Sequence, residues 1–140
     1  MPDLPLTGGC LCGEVRFEVS EPPMHAGYCH CTRCQRRTGT AAAYSARLVP
    51  GSLRVTSGEE LIRSWDPPDG FKKAFCSACG GALWAQSHLD PDVFVVRMGA
   101  FDSDPGVRAS YRQFVAYAAP WEPIPDDGLP RYPEHRPRDA

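Results

Sequence analysis

Polar and apolar residues alternate with period two over Glu14-Val15-Arg16-Phe17-Glu18-Val19, the pattern of a strand with one buried face. Shorter runs of the same kind recur at residues 24–28, 53–55, 61–65, 71–75, 82–86 and 93–98, the last being richest in β-branched and aromatic residues. The runs at 53–55 and 61–65 flank Ser57-Gly58, which reads as a turn between two consecutive strands of a meander. Residues 41–49 are small and apolar, compatible with helix or buried strand, and Pro50-Gly51 behind them favours strand. Residues 111–117 are equally ambiguous, and their aromatic content with Pro120 beyond favours strand. Residues 32–37 are polar with no strand pattern, and they read as a short helix or helical turn stopped by Gly39.

Composition agrees with a mainly β protein. Glycine and proline contribute 13 and 15 of the 140 residues, which implies many turns and few long helices. The length is that of one domain, with residues 1–125 forming it and residues 126–140 a proline-rich tail, extended or disordered. A net charge of −2 gives no field to draw in nucleic acid, so chromatin or DNA is not an expected partner. The first residues lack the pattern of a leader, and no apolar run approaches the roughly 20 residues of a membrane span, so a soluble, cytoplasmic protein is expected.

The chemistry is concentrated in seven cysteines, grouped as Cys10-x-Cys12, Cys29-x-Cys31-x-x-Cys34 and Cys76-x-x-Cys79. That is metal spacing and not the scatter of a disulfide framework. In the first and last groups a glycine, Gly13 or Gly80, follows the final thiol and a strand follows the glycine, the build of a zinc knuckle. Pairing them gives a closed site of four thiolates; the rival for Cys76 and Cys79 is a redox pair, which calls for a helix where this chain has Gly80-Gly81 and a strand. Cys29, Cys31 and Cys34 remain, and three thiolates leave a tetrahedral zinc one open corner for a water or a small thiol. The alternative is that His25, His30, His88 or a carboxylate closes this second site, although His30, lying between two ligands, would more naturally point away. Arg33, Arg36 and Arg37 follow in the predicted helix, either as a solvated face or as a seat for the carboxylates of an anionic ligand. Trp84 and Phe94 read as core.

Thr7-Gly8-Gly9-Cys10-Leu11-Cys12-Gly13-Glu14-Val15-Arg16-Phe17, Cys29-His30-Cys31-Thr32-Arg33-Cys34-Gln35-Arg36-Arg37-Thr38-Gly39 and Phe75-Cys76-Ser77-Ala78-Cys79-Gly80 together resemble the glutathione-dependent formaldehyde-activating enzyme (GFA) family, also called the centromere protein V family. Ala119-Pro120-Trp121 with Asp127-Gly128-Leu129-Pro130 is similar to the closing segment of that family. The resemblance implies a β-tent of short antiparallel strands, a structural zinc on Cys10, Cys12, Cys76 and Cys79, and a second, catalytic zinc on Cys29, Cys31 and Cys34. It also implies a carbon-sulfur lyase that joins formaldehyde to glutathione as S-(hydroxymethyl)glutathione. A non-catalytic zinc-dependent thiol carrier is the competing expectation, since the open corner alone explains thiol binding.

Overall fold

The computed structural model describes residues 2–137. Strands β1 (Leu6–Gly9), β2 (Arg16–Val19), β3 (His25–Cys29), β4 (Ala43–Arg47), β5 (Leu53–Ser57), β6 (Ile62–Trp65), β7 (Lys72–Cys76), β8 (Ala82–Gln86), β9 (Phe94–Arg97) and β10 (Ala109–Gln113) are accompanied by one α-helix, α1 (Thr32–Thr38), and short 3-10 turns. The expectation of a mainly β architecture holds. Two compact units divide the chain, one from residues 2–24 and 46–107, the other from residues 25–45 and 108–137, and the boundary falls within β4.

In the first unit β2 lies between β1 and β5, antiparallel to both. Its alternation is that of the sequence: Phe17 and Val19 are buried, Arg16 and Glu18 partly so. A second antiparallel ladder runs β6–β7–β8–β9, with Ile62 opposite Cys76 and Trp84 opposite Val96. Phe17, Leu48, Leu83, Trp84 and Val96 form the core, where Trp84 meets Phe17 and Phe94 edge to face with centroids 5.7 Å from each. Trp84 and Phe94 thus occupy the core positions expected of them.

The meander expected across Ser57-Gly58 is not formed: β5 pairs with β2 and β6 with β7. The reason is local. Gly58 takes φ +74°, a Cβ there would lie 2.3 Å from the carbonyl oxygen of Glu14, and a 3-10 turn at Glu59–Leu61 follows, so the chain leaves the first ladder without reversing on itself.

In the second unit β3 lies between β10 and β4. β10 runs parallel to β3, with Arg112 opposite Tyr28 and Gln113 opposite Cys29, a departure from the uniformly antiparallel strands expected. A parallel pair needs a long crossover, and this one is separated by the whole of residues 46–107. The strand expected over residues 111–117 ends at Gln113, because Phe114 adopts φ +58° and Val115–Tyr117 form a 3-10 turn. Their amides are satisfied by the closing segment: Phe114, Val115 and Ala116 donate to the carbonyls of Glu134, Tyr132 and Pro133. Residues 126–137 are irregular, with a bend at 133–135, and Arg112 makes a parallel bridge to Arg131 through the bonds Arg112 N to Pro130 O and Tyr132 N to Arg112 O, at 2.9 and 2.8 Å. Residues 138–140 lie outside the described part.

Candidate metal centres

Two groups of thiols converge among the described residues, and they are the two that the spacing picks out. Within each, the sulfurs lie within 4.8 Å of one another.

The first group belongs to the first unit. Cys10 and Cys12 sit in the turn between β1 and β2, Cys76 at the end of β7 and Cys79 in the turn that leads to β8. Each turn closes on itself: Gly13 N donates to Cys10 O and Gly80 N to Cys76 O, with φ +82° and +77° at the two glycines. Left-handed backbone costs an L-residue roughly 1–2 kcal/mol, which explains glycine after the last thiol in both turns. A Cβ on Gly81 would lie 3.1 Å from Leu11 N and 3.4 Å from Cys79 Sγ, so the two knuckles are as close as backbone permits. Sulfurs of Cys10 and Cys12 are 3.6 Å apart, those of Cys12 and Cys76 3.9 Å. Tetrahedral Zn–S bonds of about 2.3 Å place sulfurs about 3.8 Å apart, so this donor set fits that ion. Val15 N donates to Cys10 Sγ at 3.3 Å, and amides of Cys12 and Gly81 hold the Cys79 thiol down to about 6. Such bonds favour the thiolate, the form that binds metal.

The second group is carried by the end of β3 and the start of α1. Cys31 caps the helix, its sulfur accepting from Cys34 N at 3.4 Å, and the helix ends at Gly39, whose φ of +68° and bond to Gln35 O form the expected stop. One turn of helix therefore brings Cys34 back beside Cys31. Cys34 is buried, Cys29 and Cys31 partly so. The side chains of Cys29 and Cys34 hydrogen-bond to Cys31 and hold it down to about 2, while the same contacts and burial push Cys29 up. Three crowded sulfurs cannot all ionise without a cation among them, and a metal ion resolves that conflict.

No histidine or carboxylate joins this second group among the described residues. His30 turns elsewhere. Its ring is buried, and Nε2 lies 3.2 Å from Arg112 Nη1. Arginine only donates, so Nε2 is the acceptor and the ring is neutral with its proton on Nδ1. Burial and then the Arg112 charge keep the His30 pKa below the usual histidine value. The backbone of His30 is held as well, its N–H donating to Gln113 O at 3.0 Å and its carbonyl accepting from Gln35 Nε2 at 2.8 Å. His25 instead meets Arg136, with Nε2 2.9 Å from Nη2, and His88 lies in the first unit against Phe71. Arg33 and Arg37 are half-buried on α1 and Arg36 is exposed, the last two adding favourable charge at the helix C-terminus.

Arg112 is the residue that sequence reasoning did not single out. Only 7% of it is exposed, its Nε and Nη2 both donate to Asp127 Oδ2 at 3.1 and 2.8 Å, and its guanidinium lies 4.1 Å from the centre of the Tyr28 ring, which stacks in turn on Tyr44. It thus ties the closing segment to the residue between two of the cysteines. Its only sequence signal was a charged residue inside an otherwise strand-like run.

The comparisons with known proteins point one way. A crystal structure of a Rhodobacter sphaeroides protein superposes with a TM-score of 0.58 at 25% identity, covering 90% of this chain and 98% of that one. A Halomonas elongata protein, whose name proposes it as a glutathione-dependent formaldehyde-activating enzyme, is 33% identical over 106 residues, or 71% of this chain and 67% of that protein. The profile described as glutathione-dependent formaldehyde-activating enzyme matches residues 5–117, a span that contains all seven cysteines. The chain belongs to the glutathione-dependent formaldehyde-activating enzyme family.

Proposed function

We propose that this protein is a zinc-dependent carbon-sulfur lyase acting on the adduct of a small aldehyde with a thiol such as glutathione, similar to S-(hydroxymethyl)glutathione synthase. The observation that carries the reading is the contrast between the two thiol groups: four convergent sulfurs at Cys10, Cys12, Cys76 and Cys79, and only three at Cys29, Cys31 and Cys34, with no histidine or carboxylate beside them among the described residues. The first set would enclose a structural zinc. In the second, Cys29, Cys31 and Cys34 would hold a zinc with one position left for an incoming thiol, and the metal would supply a lowered thiol pKa there.

The chain's own residues then have defined tasks. Cys29, Cys31 and Cys34 form the site, and the bonds from Cys34 N to Cys31 Sγ, from Gln35 Nε2 to His30 O and from His30 N to Gln113 O fix the turn that presents them. Arg33, Arg36 and Arg37 lie on the helix that begins at the site and offer charge to the thiol's carboxylates. Sulfur adds to the aldehyde carbon, a C–S bond forms, and the carbonyl oxygen takes the proton that the thiol gave up; cleavage is the reverse. Bringing the two reactants together accounts for much of the gain over solution.

A thiol carrier without turnover is the second reading, favoured by the fact that His30, the one ring between the cysteines, is taken up by Arg112 and offers no free acid or base. Thiol-dependent formaldehyde loss above the uncatalysed rate separates the two. Excess rate with glutathione or another small thiol supports the lyase; saturable thiol binding without excess rate supports the carrier. Neither binding nor turnover with any small thiol would sink both.

A further inference from the structure

The second unit holds a cleft of about 310 Å³ whose lining includes Tyr28, His30, Thr40, Arg112, Glu122 and Ile124. None of the three cysteines lines it, so the position argued for the thiol does not account for it. Its size lies at the bottom of the range for small-molecule sites, roughly 300–1,000 Å³, enough for a free amino acid or one residue of a peptide.

The polar groups in the cleft are specific. A guanidinium carries five N–H donors. On Arg112, Nε and Nη2 each spend one on Asp127 and Nη1 spends one on His30, which leaves two donors on a buried cation that lines the cleft. Asp127 balances the charge of Arg112, and His30 is neutral because its Nε2 accepts from that cation. Glu122, exposed at the rim, is then the uncompensated charge of the lining. A ligand bearing only carboxylates gains the two donors but meets Glu122; a ligand bearing only an ammonium gains Glu122 but leaves the donors of Arg112 unmet. A ligand with both satisfies both, and buried donors left unpaired are the costlier omission. Tyr28, Ala41, Ala42 and Ile124 supply the apolar wall for a short side chain.

We infer that this cleft is a binding site for an α-amino carboxylate, with the carboxylate on the two remaining donors of Arg112 and the ammonium on Glu122. The head group is shared by free amino acids and by the γ-glutamyl end of a thiol peptide.

The test uses the full chain loaded with zinc and thiol-free probes, followed by the NMR shift of the Arg112 Nε–H. 2-Aminobutyrate, carrying both groups, is expected to half-saturate that shift at a concentration at least tenfold below butyrate or propylamine, each carrying one. Equal concentrations for all three, or no saturable shift with any, overturn the inference whether or not the protein turns over formaldehyde. Glu122→Gln, a change at an exposed position, is expected to erase the advantage of 2-aminobutyrate over butyrate; an unchanged advantage overturns the assignment. Titration with glutathione in parallel identifies the source of the head group: half-saturation below that of 2-aminobutyrate assigns the cleft to the peptide's amino-acid end, and the reverse order assigns it to a free amino acid, each upholding the shared chemistry.

Discussion

Arg112 donates through Nη1 to His30 Nε2 at 3.2 Å, and both side chains are buried, so the residue between Cys29 and Cys31 is fixed by a cation that is itself held by Asp127. Partners that orient a metal site from outside its ligand set change metal affinity by about 10–100-fold when removed. Asp127→Ala frees Arg112 to move and is expected to weaken zinc at the three-cysteine site by about 10-fold, leaving the four-cysteine site unchanged. Chelator competition on the two ions checks this. Equal weakening of both sites, or of neither, contradicts a positioning role for the pair.

This pair also marks where the sequence stops being readable. Both cysteine sets, the helix ended by Gly39 and strands such as β8 are written locally: ligand spacing, a left-handed glycine and a period-two run each act within a few residues. His30 could be read as turning from the metal on the same local grounds. The parallel pairing of β10 with β3 could not, because it depends on residues about 80 positions apart and on Arg112 finding Tyr28 and Asp127. Likewise Gly58 looked like a hairpin turn, and only the nearness of Glu14 shows that it separates two ladders. Residues 126–137 carry three prolines and no period of their own, and their placement comes from bonds such as those of residues 130–134 to residues 112–116.

The two cysteine sites should respond differently to loss of a ligand. Cys76→Ser removes a sulfur that joins two turns distant in sequence, and a structural zinc contributes folding free energy on the order of 10 kcal/mol, comparable to the stability of a whole domain. Cys34→Ser disturbs one helical turn. Circular dichroism melting beside zinc stoichiometry is expected to show Cys76→Ser largely unfolded, and Cys34→Ser folded with one ion fewer. Comparable unfolding of both variants contradicts the division into one structural and one functional site.

Acid should weaken the fold through two carboxylates. Arg16 and Thr7 hydrogen-bond to Asp102, and Arg112 with the Leu129 amide to Asp127, holding both below the ordinary carboxylate pKa of about 3.9. A carboxylate with a depressed folded pKa contributes stability that is present above its unfolded pKa and is lost as pH falls through the folded one. The melting temperature is therefore expected to hold down to about pH 4 as far as these groups are concerned, and to drop below it. Asp102→Asn and Asp127→Asn should each flatten that drop; a drop of unchanged size in both variants contradicts the assignment.

Two glycines with similar backbone should tolerate alanine differently. Gly39 and Gly58 have φ of +68° and +74°, so alanine at either costs roughly 1–2 kcal/mol in backbone strain. A Cβ at Gly39 meets nothing within 4 Å, whereas at Gly58 it would lie 2.3 Å from Glu14 O. Gly58→Ala is expected to be the more destabilising by a further 1 kcal/mol or more, about the cost of overpacking. Denaturant midpoints compare them, and equal losses would show that the first ladder can yield at Glu14.

The three-cysteine site is expected to take a thiol from solution as its fourth ligand. Cobalt in place of zinc reports this directly, because each added thiolate strengthens the sulfur-to-metal charge-transfer absorption. Titrating glutathione into the cobalt-loaded protein is expected to produce a saturable rise in that band, absent in Cys34→Ser and retained when formaldehyde is omitted. A spectrum that does not change with any small thiol, with both ions bound, would show that the fourth position is closed to thiols.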